Sequence, residues 1–145
     1  MYLIEFSVGN RTKALAAQAV ECVFAAVAMT PLADAPPAVV GLVNIHGSVL
    51  PVISLRRQLG LPERELRPSD RMLLVRGKTR AAVLLVDAVA GVLSVDDDRF
   101  VARKALFSAE KNEGGIVVRG GDMILVDDLE RLLGAQAGDA AFDMP

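Results

Sequence analysis

Two stretches of the chain follow one plan. GLVNIHGSVLPVISLRRQLG (41–60) and IVVRGGDMILVDDLERLLG (116–134) each read as strand, tight glycine turn, strand, short helix and Leu-Gly. A second pair precedes them in the same order. GNRTKALAAQAVECV (9–23) and GKTRAAVLLVDAVAGV (77–92) each read as turn, strand, then an Ala-Val step into another apolar segment. A repeat of about 70 residues is too small to bury a core alone, so the two copies must share one. Two similar lobes, one per half of the chain, are expected within a single folding unit.

The segments between turns are short and rich in Val, Ile and Leu. They are YLIEFSV (2–8), ALAA (14–17), ECVFAAVAM (21–29), GLVNI (41–45), SVLPVI (48–53), RMLLVR (71–76), AAVLLV (81–86), GVLSV (91–95), IVVR (116–119) and DMILV (122–126). Gly9-Asn10, His46-Gly47, Gly77-Lys78 and Gly120-Gly121 separate several of them. Such spacing predicts an all-β barrel or sandwich. SLRRQL (54–59) and DDLERLL (127–133) read as brief helices ending at Gly60 and Gly134, as at a C-cap. Pro36-Pro37 and LPERELRPSD (61–70) punctuate the chain, the second as a loop crossing between lobes. The tail 135–145 loses the strand pattern and is expected to be mobile.

Composition narrows the function. Apolar residues make up 52% and charged residues 23%, with a formal net charge of −2. No basic run or face is present, which disfavours nucleic-acid binding. The longest apolar run, Cys22 to Met29, is far short of the about twenty residues of a membrane helix. MYLIEFSVGN has neither a basic start nor a small-residue cleavage site, so no signal peptide is expected. The single cysteine, Cys22, cannot form an internal disulfide, and its apolar setting predicts a reduced core thiol. A cytoplasmic protein without direct membrane insertion is expected.

No catalytic constellation emerges. One His and one Cys cannot build a zinc site, and no other metal or cofactor site is expected. Asp96-Asp97-Asp98 lacks the alternation and glycine of a calcium loop and reads as a solvated turn or helix cap. Gly77-Lys78-Thr79 resembles the end of a phosphate loop, but position 72 is Met and a strand follows, so it reads as a hairpin turn. Ser108 and Lys111 have a Ser-x-x-Lys spacing without its companion motifs. His46 lies in a turn beside Ser48, with no strained nucleophile elbow, which favours a turn histidine over a general base.

The stretch PPAVVGLVNIHGSVLPVISLRRQLG (36–60) resembles the CheW-like domain family. That family shows a Gly-x-x-Asn-x-Arg-Gly-x-x-x-Pro-Val-x-Asp-Leu-Arg pattern, matched here at Gly41, Asn44, Gly47, Pro51, Val52, Leu55 and Arg56. YLIEFSVGNRTKALAAQAVECV resembles the family's opening, with Glu21 at its usual glutamate. LLVDAVAGVLSV (84–95), with Asp87, resembles its second-lobe signature, and ILVDDLERLL its closing strand and helix. The resemblance covers about residues 2–134. It implies an all-β fold of two five-stranded SH3-like barrels around a shared hydrophobic core, with short helices.

It further implies a non-enzymatic adaptor with no cofactor. Such adaptors couple the cytoplasmic tips of chemoreceptors, the methyl-accepting chemotaxis proteins, to the regulatory domain of a CheA-type histidine kinase. A stand-alone family member is the closest expectation for 145 residues. The receptor-side positions carried over are Ala19, Glu21, Gly41, His46 and Val92, with Asn44 and Gly47 shaping the turn. The alternative is a scaffold of the same family in pilus motility or cyclase-coupled surface sensing, with changed partners. An esterase using His46 is the third class.

Two positions depart from the family pattern: His46 stands for its Arg and Ser54 for its Asp. A His46–Glu21 pair would replace a charged Arg–Glu fork and make the contact pH-dependent. Gly41→Asp is expected to abolish receptor binding with the fold intact, because the glycine would face a partner's backbone. FAAVAMTPL (24–32) is uncharged. It reads as a strand buried between lobes or, failing that, as an apolar partner surface.

Overall fold

The computed structural model describes residues 1–106 and 114–136. Their strands are β1 (Tyr2–Val8), β2 (Arg11–Ala16), β3 (Val20–Ala25), β4 (Val39–Ile45), β5 (Ser48–Ser54), β6 (Arg71–Arg76), β7 (Ala81–Val86), β8 (Ala88–Ser94), β9 (Phe100–Ala102), β10 (Gly115–Arg119) and β11 (Asp122–Val126). The α-helices are α1 (Leu55–Gln58), α2 (Arg103–Leu106) and α3 (Leu129–Gln136). Ala17–Ala19 and Asp97–Arg99 form single 3₁₀ turns. No helix among the described residues is long and apolar enough to cross a membrane.

The strands form two sheets, so the all-β class with short helices holds. One sheet has the order β8-β1-β2-β11-β10-β9 and the other β3-β6-β7-β5-β4. The first has a sixth strand, β9, which is only three residues long and was not read from the sequence. The two orders otherwise match. Each sheet holds an antiparallel hairpin, β1–β2 or β6–β7, with an edge strand on one side and a parallel neighbour on the other. The parallel pairs are β2 with β11 and β5 with β7.

The lobes are not the two halves of the chain, as expected from the repeat. Each hairpin is completed by the later strands of the other repeat: β8, β10 and β11 join β1–β2, while β3, β4 and β5 join β6–β7. Connection length explains the exchange. Only Asp87 separates β7 from β8, fewer than the two residues of the tightest common hairpin loop. The chain therefore runs on into the other sheet. The loop 61–70 also differs from expectation: it joins α1 to β6 and so returns to its own sheet rather than crossing.

The interleaved strands bury both faces. In β6, Met72 and Leu74 pack with Val43, Val52 and Val83 inside the second sheet. Leu73 and Val75, pointing the other way, join Phe6, Val8 and Leu15 of the first sheet and Leu129, Leu132 and Leu133 of α3 in a shared core. A third cluster, with Leu3, Ala14, Val117 and Ile124, fills the first sheet. Double-sided burial is why β6 and β7 read as continuous apolar runs rather than alternating ones.

Three further expectations change. The segment 24–32 is not buried between lobes. β3 is an edge strand with β6 as its one neighbour, and it leaves Val23, Val27 and Leu32 exposed. Cys22, on the same edge, is an exposed thiol rather than a core one. Helix α3 passes through Gly134 to Gln136, so that glycine is no C-cap. Gly60 behaves as read: at φ 71° it closes α1, with its N–H donating to the carbonyl of Arg57 at 3.1 Å. The tail beyond residue 136 and the Ser108/Lys111 motif lie outside the described residues.

Candidate functional site

The β4–β5 hairpin has a two-residue turn, because Ile45 pairs directly with Ser48. His46 and Gly47 occupy it with φ of 51° and 89°, the left-handed pair that a type I′ hairpin demands. The Gly47 N–H donates to Asn44 Oδ1 at 2.8 Å. His46 is exposed at the tip of this turn. No carboxylate or serine is hydrogen-bonded to its ring among the described residues.

Gly41 lies deeper in β4 and is buried. A Cβ there would come within 2.9 Å of both the Cβ of Met29 and the carbonyl oxygen of Thr30. Thr30 and Leu42 exchange both backbone hydrogen bonds, at 2.8 and 2.9 Å. The backbone approaching Gly41 is thus the chain's own. This corrects the expectation that Gly41→Asp leaves the fold intact.

Glu21 sits in a β-bulge. Val20 pairs with Val75 and Cys22 with Leu74, which leaves Glu21 without a partner in register. Its carboxylate accepts a hydrogen bond from Arg76 Nε, not from His46, so the expected His46–Glu21 pair is corrected. The two residues belong to β3 and to the β4–β5 turn, at opposite ends of the sheet order. The Arg76 hydrogen bond holds the Glu21 carboxyl below its usual range, outweighing the opposite push of desolvation. Ala19 ends the 3₁₀ turn just before the bulge and lines a pocket of about 360 Å³ with Arg76, Gly77 and Lys78.

Val92 lies on the other sheet, in edge strand β8, paired with Ile4 and 66% exposed. It is the repeat counterpart of Val23 on β3, and the bulges match as well. Phe6 pairs with Val89 and Glu5 with Gly91, which leaves Ala90 in the place that Glu21 takes on β3. Each sheet therefore presents one bulged edge strand with an exposed valine. Ala19, Glu21 and Arg76 are brought together; Gly41, Asn44, His46 and Gly47 form a second group; Val92 stands on a third element.

A feature that sequence reasoning missed joins the two sheets. Arg56 of α1 forks Asp87, with Nε to Oδ1 at 2.9 Å and Nη2 to Oδ2 at 2.8 Å. Asp87 also accepts the N–H of Gly9, in the β1–β2 turn, at 2.7 Å. Arg64 Nη2 stands 3.1 Å from Asp87 Oδ1 and forks Asp70 at 2.7 and 3.0 Å. Burial pushes the Asp87 carboxyl up. The Arg56 hydrogen bond, the Gly9 N–H and the charges of both arginines overcome that push and leave it below its usual range. Both Arg56 and Asp87 matched family motifs; the signal for their pairing was a lone acid between two apolar strands.

Among the described residues no group of His, Cys, Asp and Glu could hold a metal ion. What the surface offers is two bulged apolar edges, a rigid turn and charged clamps between interleaved sheets. That is the architecture of a β-scaffold. A family model described as CheW-like domain matches residues 3–137. The chain belongs to the CheW-like domain family. A chemotaxis protein CheW of Rhizobium meliloti is 28% identical over 141 residues, spanning 96% of this chain and 91% of that one. The Thermotoga maritima protein of the same name is 24% identical, spanning 90% and 86%. The crystal structure of the scaffolding protein TtCheW from Thermoanaerobacter tengcongensis superposes with a TM-score of 0.79 at 25% identity, covering 92% of each chain.

Proposed function

We propose that this chain is a non-enzymatic adaptor that couples chemoreceptors to a CheA-type histidine kinase in bacterial chemotaxis. The observation that carries it is the family match across 3–137, joined to a shared fold with a scaffolding protein. Relatives named for chemotaxis favour that pathway over pilus or surface-sensing variants. The adaptor acts in the cytoplasm, as one folding unit over residues 2–134. Its partners are the kinase regulatory domain and the receptor's cytoplasmic tip. Ala19, Glu21, His46 and Val92 form the receptor side, with Asn44 and Gly47 holding the turn and Gly41 acting through the backbone.

The test is calorimetric titration of the protein with the regulatory domain of a CheA-type kinase from the same genome, and separately with a receptor cytoplasmic fragment. Micromolar binding, about −8 kcal/mol, to the kinase domain together with saturable binding to the receptor fragment supports the adaptor. A folded sample that binds neither removes it.

A further inference from the structure

We infer that Arg76 is the positioning residue for Glu21 on the receptor-binding side, and that His46 has no part in placing that carboxylate. This inference rests on the adaptor function proposed above. The bulge turns Glu21 out of the β3–β6 ladder, and bulges re-aim a side chain in this way. A glutamate so placed, without a partner, would sample several rotamers and present its charge diffusely. Arg76, the last residue of β6, meets it from the neighbouring strand. The side chains remain 61% and 43% exposed for Arg76 and Glu21, so the charge is both fixed and open to a partner.

The surroundings suit a contact surface. Arg76 lines the same pocket as Ala19, and that pocket also takes in Leu3, Leu15 and Asp128 of the other sheet's layer. Val23 and Val27 flank the pair with exposed apolar surface. An ion pair this exposed adds little to stability, so its removal should show in recognition and not in folding. A guanidinium stays charged at every working pH, whereas a histidine partner would release Glu21 near neutrality.

The experiment is a double-mutant cycle, read as the affinity of the full chain for a receptor cytoplasmic fragment. Glu21→Gln and Arg76→Gln should each weaken receptor binding about tenfold, and the double mutant no further, because both remove one placed carboxylate. Arg76→Lys should recover part of the loss. His46→Ala combined with Glu21→Gln should simply add. Kinase-domain affinity and thermal midpoint should stay at wild-type values in all variants. Unchanged receptor affinity in Arg76→Gln, additive losses in the Glu21/Arg76 cycle, or kinase binding that falls in step would each overturn the inference. Wild-type protein that binds no receptor fragment removes the receptor function itself, and this inference with it.

Discussion

Asp87 and Glu130 do the same task from opposite lobes: each holds the glycine turn of the hairpin that the other repeat supplies. Asp87, locked by Arg56, accepts the N–H of Gly9 at 2.7 Å. Glu130, in the first turn of α3, accepts the N–H of Lys78 at 2.9 Å. Arg56 and Glu130 are equivalent positions of the repeat, each one residue after the leucine that opens its helix. One half uses a carboxylate directly; the other uses an arginine with an added acid. The strand exchange thus carries its own fasteners at both crossings.

Asp87→Ala should be the more damaging of the two changes. It leaves Arg56 without its fork, and Arg56 is 22% exposed. Breaking a buried pair on one side costs about 3 kcal/mol. The pH dependence has a definite sign. The folded-state pKa of Asp87 lies below its ordinary 3.8, so its contribution is present above that value and is lost as pH falls through the folded pKa. Urea unfolding of wild type and Asp87→Asn at pH 7 and pH 3 checks this: the gap between them should be large at pH 7 and narrow in acid.

Glu130→Ala removes a single accepted hydrogen bond at an exposed site. The expected loss is about 1 kcal/mol, read as a small fall in the urea midpoint without a change in slope.

Gly41→Ala tests the correction made at that position. Its Cβ would press on Thr30 backbone, and neither strand can retreat without losing the Thr30–Leu42 bridge. Overpacking of this kind costs about 2 kcal/mol. Thermal denaturation should show a clear drop for Gly41→Ala and a larger one for Gly41→Asp. Loss of partner binding in the latter then reports unfolding and not a contact. An Asp variant that melts like wild type refutes the close approach.

Much of this was legible in the residues. The bounds of β1, β6, β7 and β11 match their apolar runs, and the repeat shows in the matching sheet orders. The exchange of strands was not legible, because pairing between distant segments leaves no local periodicity. Cys22 was misplaced for a related reason: CVFAAVAM is apolar whether it lies in a core or on an uncovered edge. Glu21 and Arg76 are 55 positions apart, and Arg56 and Asp87 are 31 apart. Such pairs become visible only when the sheet register is known. His46 drew attention as the single histidine, yet its φ of 51° marks it first as a turn residue.

The last prediction concerns Lys13 and Asp127, which secure the short parallel ladder between β2 and β11. That ladder has only the pairs Leu125–Lys13 and Val126–Ala14. Lys13 Nζ donates to both oxygens of Asp127, at 3.0 and 3.1 Å, and only 10% of the lysine side chain and 17% of the aspartate are exposed. Burial pushes the Asp127 carboxyl above its usual range, against the pull of Lys13 and Arg131. The sign is therefore opposite to that of Asp87: its contribution is present below the ordinary 3.8 and is lost as pH rises through the folded pKa. Lys13→Met strands a buried carboxylate and should cost about 3 kcal/mol at pH 7. The cost should shrink on acidification, as Asp127 takes up its proton. Lys13→Met with Asp127→Leu replaces both charges by apolar groups and should recover most of the loss, since a buried ion pair is often no more stable than a packed apolar one. Unfolding curves of the two single mutants and the double at pH 7 and pH 4 decide it. Equal destabilisation by Lys13→Met at both pH values, with no recovery in the double mutant, would show that the lysine stem, packed along β11, matters more than its charge.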